Sequence, residues 1–248
     1  MKKKCLLAIF FVIAATDAFA YRPLGTEDAG VAGRGVAQIE VSWDYAKWEN
    51  GDMENIFLFV PVYGVTNNLE LSAEVPYIFH SPDSGKDEEG AGDINLVAKY
   101  LLLDEGAYTP AFTIKGVVKL DNGDYDKGLG SGDRDYSAFA VFSKTVASFA
   151  FHAHIGYARV GDRKDENLRD ITLYGFAADY AMNERCHIVA EINGNRHTDR
   201  TADENPGNAL VGVIYRVSDT LFLDAAVRRG LTDASPEWST TAGISLSF

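Results

Sequence analysis

The chain has 248 residues, 46% hydrophobic and 24% charged, with 36 acidic against 23 basic side chains and a formal net charge of −13 at pH 7. An acidic excess of this size offers nothing to a phosphate backbone or an anionic lipid surface, which excludes nucleic acid as a partner and a polybasic membrane anchor. No segment after the first twenty residues holds eighteen consecutive apolar side chains, so no transmembrane helix is expected.

The N-terminus reads as a secretory leader. Lys2, Lys3 and Lys4 precede an apolar run from Cys5 to Thr16, and Ala18-Phe19-Ala20 offers a small-residue cleavage site. The run is too short to span a bilayer. Cleavage after residue 20 removes three Lys and one Asp, leaving 20 basic against 35 acidic residues and a formal charge of −15. It also removes Cys5, so Cys186 stands alone and no intramolecular disulfide can form. Cys5 opens the apolar run instead of following it, which argues against a lipoprotein.

Residues 21–34 carry three Gly and one Pro, too many for a regular element, and read as an N-terminal arm beginning on the periplasmic side. In water the arm would be a disordered leader. Folded back into a barrel, its Arg22, Glu27, Asp28 and Arg34 would face Lys99, Lys115 and Glu40.

From residue 35 to 248 the pattern is uniform. Segments of about ten residues rich in Val, Ile, Phe and Tyr alternate with polar connections, and no 3.6-residue stripe intervenes. Twelve strands are expected, at 36–47, 54–63, 69–80, 93–103, 110–121, 135–144, 149–160, 170–180, 186–196, 208–216, 221–230 and 238–248. Strands of this length suit a tilted crossing of a bilayer, and an even count returns both ends to the periplasm.

The connections alternate in length. Those at 64–68, 104–109, 145–148, 181–185 and 217–220 are short, whereas 81–92, 122–134, 161–169 and 197–207 are longer and more charged. The segment 48–53 breaks the rule by being short. Short periplasmic turns against longer outer loops is the asymmetry of an outer-membrane barrel. The short turns also repeat: Tyr63 to Leu71, Tyr180 to Ile188 and Tyr215 to Leu223 share an aromatic, a polar turn and an apolar restart. Phe142 to Phe149 is a looser copy. Asn, Asp, Ser and Thr favour such turns, and the aromatics fall where a membrane-interface girdle would lie.

Register divides the strands into two faces. In 36–47, Ala37, Ile39, Val41, Trp43 and Tyr45 oppose Gln38, Glu40, Ser42 and Asp44. In 69–80, Leu69, Leu71, Ala73, Val75, Tyr77 and Phe79 oppose Glu70, Ser72, Glu74 and His80. The polar face continues through Lys99, Lys115, Lys119, His152, His154, Glu191, Asp224 and Arg228. In a sandwich this face meets water and the apolar face is the core; in a barrel the polar face lines the lumen. The last strand bears on the choice, because Ala242, Ile244, Leu246 and Phe248 carry an apolar face to the terminal carboxylate. Such an ending would fray in a soluble domain but closes a barrel. As pore-lining residues, the acids come from early and late strands and would meet on one side. Lys99, Lys115 and Lys119 form a middle wall opposite, either bridging a narrow lumen or setting a field across a wetter one.

Catalytic patterns are not evident. No G-x-S-x-G occurs, and His80-Ser81 is a weak pair at a strand end. His152 and His154 share a face without an evident third ligand, so a metal is not expected. The run from Asp121 to Asp126 lacks the Gly position and closing Glu of a calcium loop. No cofactor is expected.

With these residues in view, the chain resembles a family of Gram-negative outer-membrane barrels named for the meta-cleavage pathway of phenol degradation. The resemblance rests on Pro23 to Ala29 in the arm, on Gly92-Asp93-Ile94 leading to Lys99-Tyr100, and on Lys119-Leu120 before a Gly-Asp loop. Family members usually continue that Lys-Leu with Pro-Thr-Gly, where this chain has Asp121-Asn122-Gly123. The resemblance implies a monomeric outer-membrane channel or facilitator for small, often aromatic molecules, and it brings no catalytic residues. Outer-membrane lipid and lipopolysaccharide, the barrel-assembly machinery that reads a terminal Phe, and a small-molecule solute are the expected partners. A non-conducting structural or lipid-binding barrel is the alternative, followed by a lipid-modifying barrel enzyme.

Overall fold

The period-two alternation that sets in at Ala37 is realised as antiparallel strands in the computed structural model, which describes residues 22–162 and 167–248. The expected leader, Tyr21 and residues 163–166 lie outside the described residues. The strands are β1 (Ala37–Lys47), β2 (Met53–Gly64), β3 (Leu69–Ser81), β4 (Glu88–Ala91), β5 (Asn95–Leu103), β6 (Ala111–Lys119), β7 (Asp135–Val146), β8 (Phe149–Arg159), β9 (Ile171–Ala181), β10 (Cys186–Asn195), β11 (Gly207–Arg216), β12 (Leu221–Gly230) and β13 (Trp238–Ser247). Each long strand pairs with its neighbours in the ring, and β1 pairs with both β2 and β13. The result is a closed barrel of twelve long strands, and closure leaves no sheet edge for lipid to meet. Phe248 completes the seam: its N–H donates to the Ala37 carbonyl (2.8 Å), and Ala37 N–H donates back (3.3 Å).

All twelve expected strands are present, with ends shifted by at most two residues. The thirteenth was not expected. Residues 81–92 carry Pro, Ser, Gly and five charges, a loop composition, yet Glu88–Ala91 pairs with Tyr77–His80 of β3. β3 is longer than β5, which covers only Leu69 to Glu74, and β4 pairs with part of the uncovered outer end. The break between β4 and β5 lies at residues 92–94. There Asp93 turns away from strand pairing to accept hydrogen bonds from Gly123 N–H (2.8 Å) and Ser131 N–H (2.7 Å). This ties the loop between β6 and β7 across the outer mouth and buries Leu129.

The outer surface is apolar and aromatic. Val211, Ile192 and Val227 are each more than half exposed at mid-strand. Tyr63, Tyr180, Tyr215, Phe142 and Phe149 ring the short-turn end; Trp43, Tyr77, Tyr136 and Tyr157 ring the other. Two such belts mark the interfaces of a bilayer, where a ring can sit in hydrocarbon with its polar edge in water. At the short-turn rim Glu105 clasps a neighbouring turn, accepting from Lys144 Nζ (2.6 Å) and Thr145 N–H (2.8 Å). Burial works to raise its carboxyl, but the bonds from Lys144 and Thr145 prevail and hold it below the usual range.

Replacing Val211 with Arg sets a charge against hydrocarbon at mid-strand, with an expected loss of about 2–4 kcal/mol. Urea unfolding of refolded protein in phospholipid vesicles reads it. A loss under about 1 kcal/mol, the interfacial value, would move Val211 out of the midplane.

Candidate functional site: a lumen crossed by the N-terminal arm

The inward face of the barrel contains an electrostatic problem. Lys99 of β5 and Lys115 of β6 are direct cross-strand partners, and both are over nine-tenths buried. Like charges directly opposite one another repel, the more so out of bulk water. The remedy comes from outside the sheet. Glu27 and Asp28, consecutive in the arm, enter the lumen and each takes one lysine: Lys115 Nζ lies 2.5 Å from Glu27, and Lys99 Nζ lies 3.3 Å from Asp28. Lys115 is also 3.8 Å from Glu74.

The opposite wall is served in the reverse sense. Arg22 lies over β13, where Nη2 donates to Thr241 Oγ1 (2.5 Å) and Nε stands 3.6 Å from Asp224 of β12. Between these ends the arm backbone is held by wall side chains. Glu191 accepts from Thr26 N–H, His154 Nδ1 from Glu27 N–H (3.0 Å), Ser143 Oγ from Ala29 N–H (2.8 Å) and Glu70 from Ala32 N–H (2.6 Å). The Ala29 carbonyl accepts from Thr113 Oγ1 (2.6 Å). A segment without regular structure thus has backbone N–H and carbonyl groups met by side chains of the wall. Apolar contacts are fewer: Leu24 packs on Val189, Leu210, Ile214, Phe222 and Ala226, and Ala32 packs on Val60 and Val62.

Room for the arm comes from glycines on the inward face. A Cβ at Gly64 would collide with the carbonyl of Gly33, one at Gly175 with Thr26 Oγ1, and one at Gly243 with Arg22. At Gly212 it would stand 3.0 Å from Pro23. Glycine inside a strand weakens the strand, and close approach of other atoms is a recurring reason for it.

The twelve residues singled out as lumen-facing fall into three groups. Lys99, Lys115, His154, Glu70, Glu191 and Asp224 touch the arm directly. Glu74 acts through Lys115, and His152 through Ser143, whose Oγ is 2.8 Å from its Nδ1. The remaining four do not grip the arm by a hydrogen bond or ion pair. Glu40 accepts from Gln38 (2.7 Å), Asp44 accepts from Ser42 (2.9 Å), and Lys119 pairs with Asp135 (2.6 Å) at the outer mouth. Arg228 has a buried Nε without a hydrogen-bond partner among the described residues. The pairing of Glu40 with the arm does not form, because Arg22 reaches Asp224 instead; Arg34 is exposed. Between the acidic and basic walls, among the described residues, Glu74 reaches Lys115 (3.8 Å), and elsewhere the arm's own charges meet the wall.

Sequence reasoning missed the inner face of β2. Its sequence is apolar at successive positions, so no face could be assigned by alternation. In the barrel Leu58, Val60 and Val62 point inward and line a cavity of about 750 Å³ beside the arm. Glu40 and Glu70 line it as well, and Asn67, Asp104 and Asp219 place part of it at the short-turn end.

Removing Lys99 tests how the arm is held. Lys99→Met leaves Asp28 buried beside no cation of its own, an expected cost on the order of 3 kcal/mol. Amide exchange at Thr26 and Ala29 should accelerate, and the double change Asp28→Asn with Lys99→Met should recover most of the protection. Unchanged exchange in the single variant would show that the arm is held by its backbone bonds alone.

The comparisons agree with this geometry. No curated protein matches the chain in sequence. Among solved structures, an outer-membrane channel from Pseudomonas putida F1 superposes with a TM-score of 0.73 at 16% identity, covering 91% of this chain and all of that one. The KdgM porin in complex with disordered oligogalacturonate gives 0.57 at 11% identity, covering 84% and 99%. The CymD monoaromatic hydrocarbon channel gives 0.51 at 11%, covering 87% and 88%. At these identities the likeness is one of fold: an outer-membrane barrel. The family model described as "Putative MetA-pathway of phenol degradation" matches residues 16–248, nearly the whole chain, and the protein belongs to that family.

Proposed function

We propose that this barrel is an outer-membrane channel for small molecules, with the N-terminal arm as its constriction and the space beside β1–β3 as its path. The observation that carries the reading is the off-centre course of the arm. Its charges engage β5, β6 and β12, and a cavity of about 750 Å³ remains beside it, lined by the inner faces of β1, β2 and β3 and bordered by Lys99, Lys115 and Phe222. That volume lies within the range of small-molecule sites. The likeness to a hydrocarbon channel and to a porin supports passage over catalysis. Glu40, Asp44, Glu70, Glu74, Lys99, Lys115, Lys119, His152, His154, Glu191, Asp224 and Arg228 are the pore-lining set in this reading. Lipopolysaccharide around the outer half, recognition of Phe248 by the assembly machinery, and a monomeric state belong to it too.

Deleting residues 22–33 behind an intact leader tests it. The backbone pairing to β2 begins at Gly35, beyond the deleted residues, so the barrel should assemble and keep its heat-modifiable mobility. Conductance of the refolded protein in planar bilayers should rise several-fold over the full chain. Equal conductance with and without the arm would remove it as the constriction. No conductance in either form would favour a structural barrel.

A further inference from the structure

The cavity beside the arm is chemically two-sided. One wall is apolar, made by Leu58, Val60 and Val62 of β2 and by Val36. This strip is flanked by carboxylates on the adjacent strands: Glu40 of β1 is the register partner of Val60, and Glu70 of β3 is the partner of Gly64, two residues beyond Val62. All of these side chains line one space.

The charges in that space are unequally satisfied. Three cations line it, and each is committed elsewhere: Arg22 to Asp224, Lys99 to Asp28, and Lys115 to Glu27 and Glu74. Glu40 and Glu70 accept only neutral donors, the Gln38 amide and the Ala32 N–H, and among the described residues neither has a cation within ion-pair distance. A carboxylate with no cation in contact, at the edge of an apolar wall, attracts a cation that brings its own hydrocarbon.

We propose that this cavity binds small amphiphilic organic cations, an aromatic or alkyl body bearing a single ammonium group. The ammonium lies between Glu40 and Glu70, and the body lies on Leu58, Val60 and Val62. An inorganic cation would satisfy the carboxylates and leave the strip wet; a neutral hydrocarbon would cover the strip and leave the carboxylates uncompensated. Only a molecule carrying both groups answers both walls. The inference deepens the channel reading by naming the solute class that pauses beside the arm, but binding does not require that the pore conduct.

The test uses the mature, arm-bearing protein in detergent with benzyltrimethylammonium, toluenesulfonate and benzyl alcohol as probes, followed by titration calorimetry and ligand-detected NMR. Saturable binding of benzyltrimethylammonium is expected, with toluenesulfonate and benzyl alcohol far weaker. The isosteric double variant Glu40→Gln, Glu70→Gln should lower affinity about tenfold by removing the Coulombic attraction of both carboxylates. Leu58→Asn provides a second check should the double variant fold poorly: it should weaken benzyltrimethylammonium but leave tetramethylammonium unchanged. Equal binding of benzyl alcohol, an unchanged affinity in the folded Gln variant, or no saturable binding would each overturn the proposal. Bilayer recordings separate this outcome from that of the channel. Saturable binding without conductance sinks the channel reading alone, whereas conductance without binding sinks this site alone.

Discussion

Closure of the sheet is the constraint on which everything else in this protein rests. In hydrocarbon an unpaired N–H or carbonyl has no water to turn to, so the first and last strands must find each other. Here that seam joins β1 to β13 over ten register pairs, from Gln38 with Ser247 to Lys47 with Trp238. Once the ring is closed, the period of two does the rest. Every odd position from Ile39 to Tyr45 faces outward, and every even one from Gln38 to Asp44 faces a shared interior. The interior is then a fixed set of side chains that no loop rearrangement can exchange.

A fixed interior explains the course of the arm. Lys99 and Lys115 cannot move apart, because their strands are paired, and water reaches them poorly. Two acids at adjacent positions of a flexible segment are a compact way to neutralise them. The same segment carries Arg22 at the spacing needed to reach Asp224 across the lumen. Its fastening is mainly polar: ion pairs at both ends, side-chain bonds to the backbone between, and small apolar contacts at Leu24 and Ala32. Polar fastening is specific in geometry while contributing little net energy per bond. A segment held this way is seated in one position yet remains separable from the wall, unlike a strand added to the sheet.

Much of this architecture was legible in the sequence, and the reasons are local. Strands with one lipid face and one lumen face alternate, and β1, β3 and β13 announce themselves by that alternation. The polar turns after Tyr63, Tyr180 and Tyr215 fix the ends. β4 was illegible because the chain from Ser81 to Gly92 has a loop composition, and only the overhang of β3 makes four of its residues a strand. The partners of the polar-face residues were not legible. That Lys99 takes Asp28, and that Arg22 prefers Asp224 to Glu40, depends on where the arm turns in space. The inward glycines Gly64, Gly175, Gly212 and Gly243 were the available signal, since glycine inside a strand implies that something approaches it closely.

β2 carries the most information about what the lumen tolerates. A strand that is apolar on both faces is costly in a water-filled barrel, because its inner face would be hydrated for nothing. Part of that face is covered by Ala32 and Val36, yet Leu58, Val60 and Val62 still border the open cavity. The carboxylates beside them have no cation in contact among the described residues, while each lysine across the lumen has an acid of the arm. The arm therefore does more than narrow the passage. By drawing Glu27 and Asp28 to the basic wall, it spends its acids there and leaves Glu40 and Glu70, among the described residues, with no cation in contact. The asymmetry of the lumen is a product of the arm as much as of the strands.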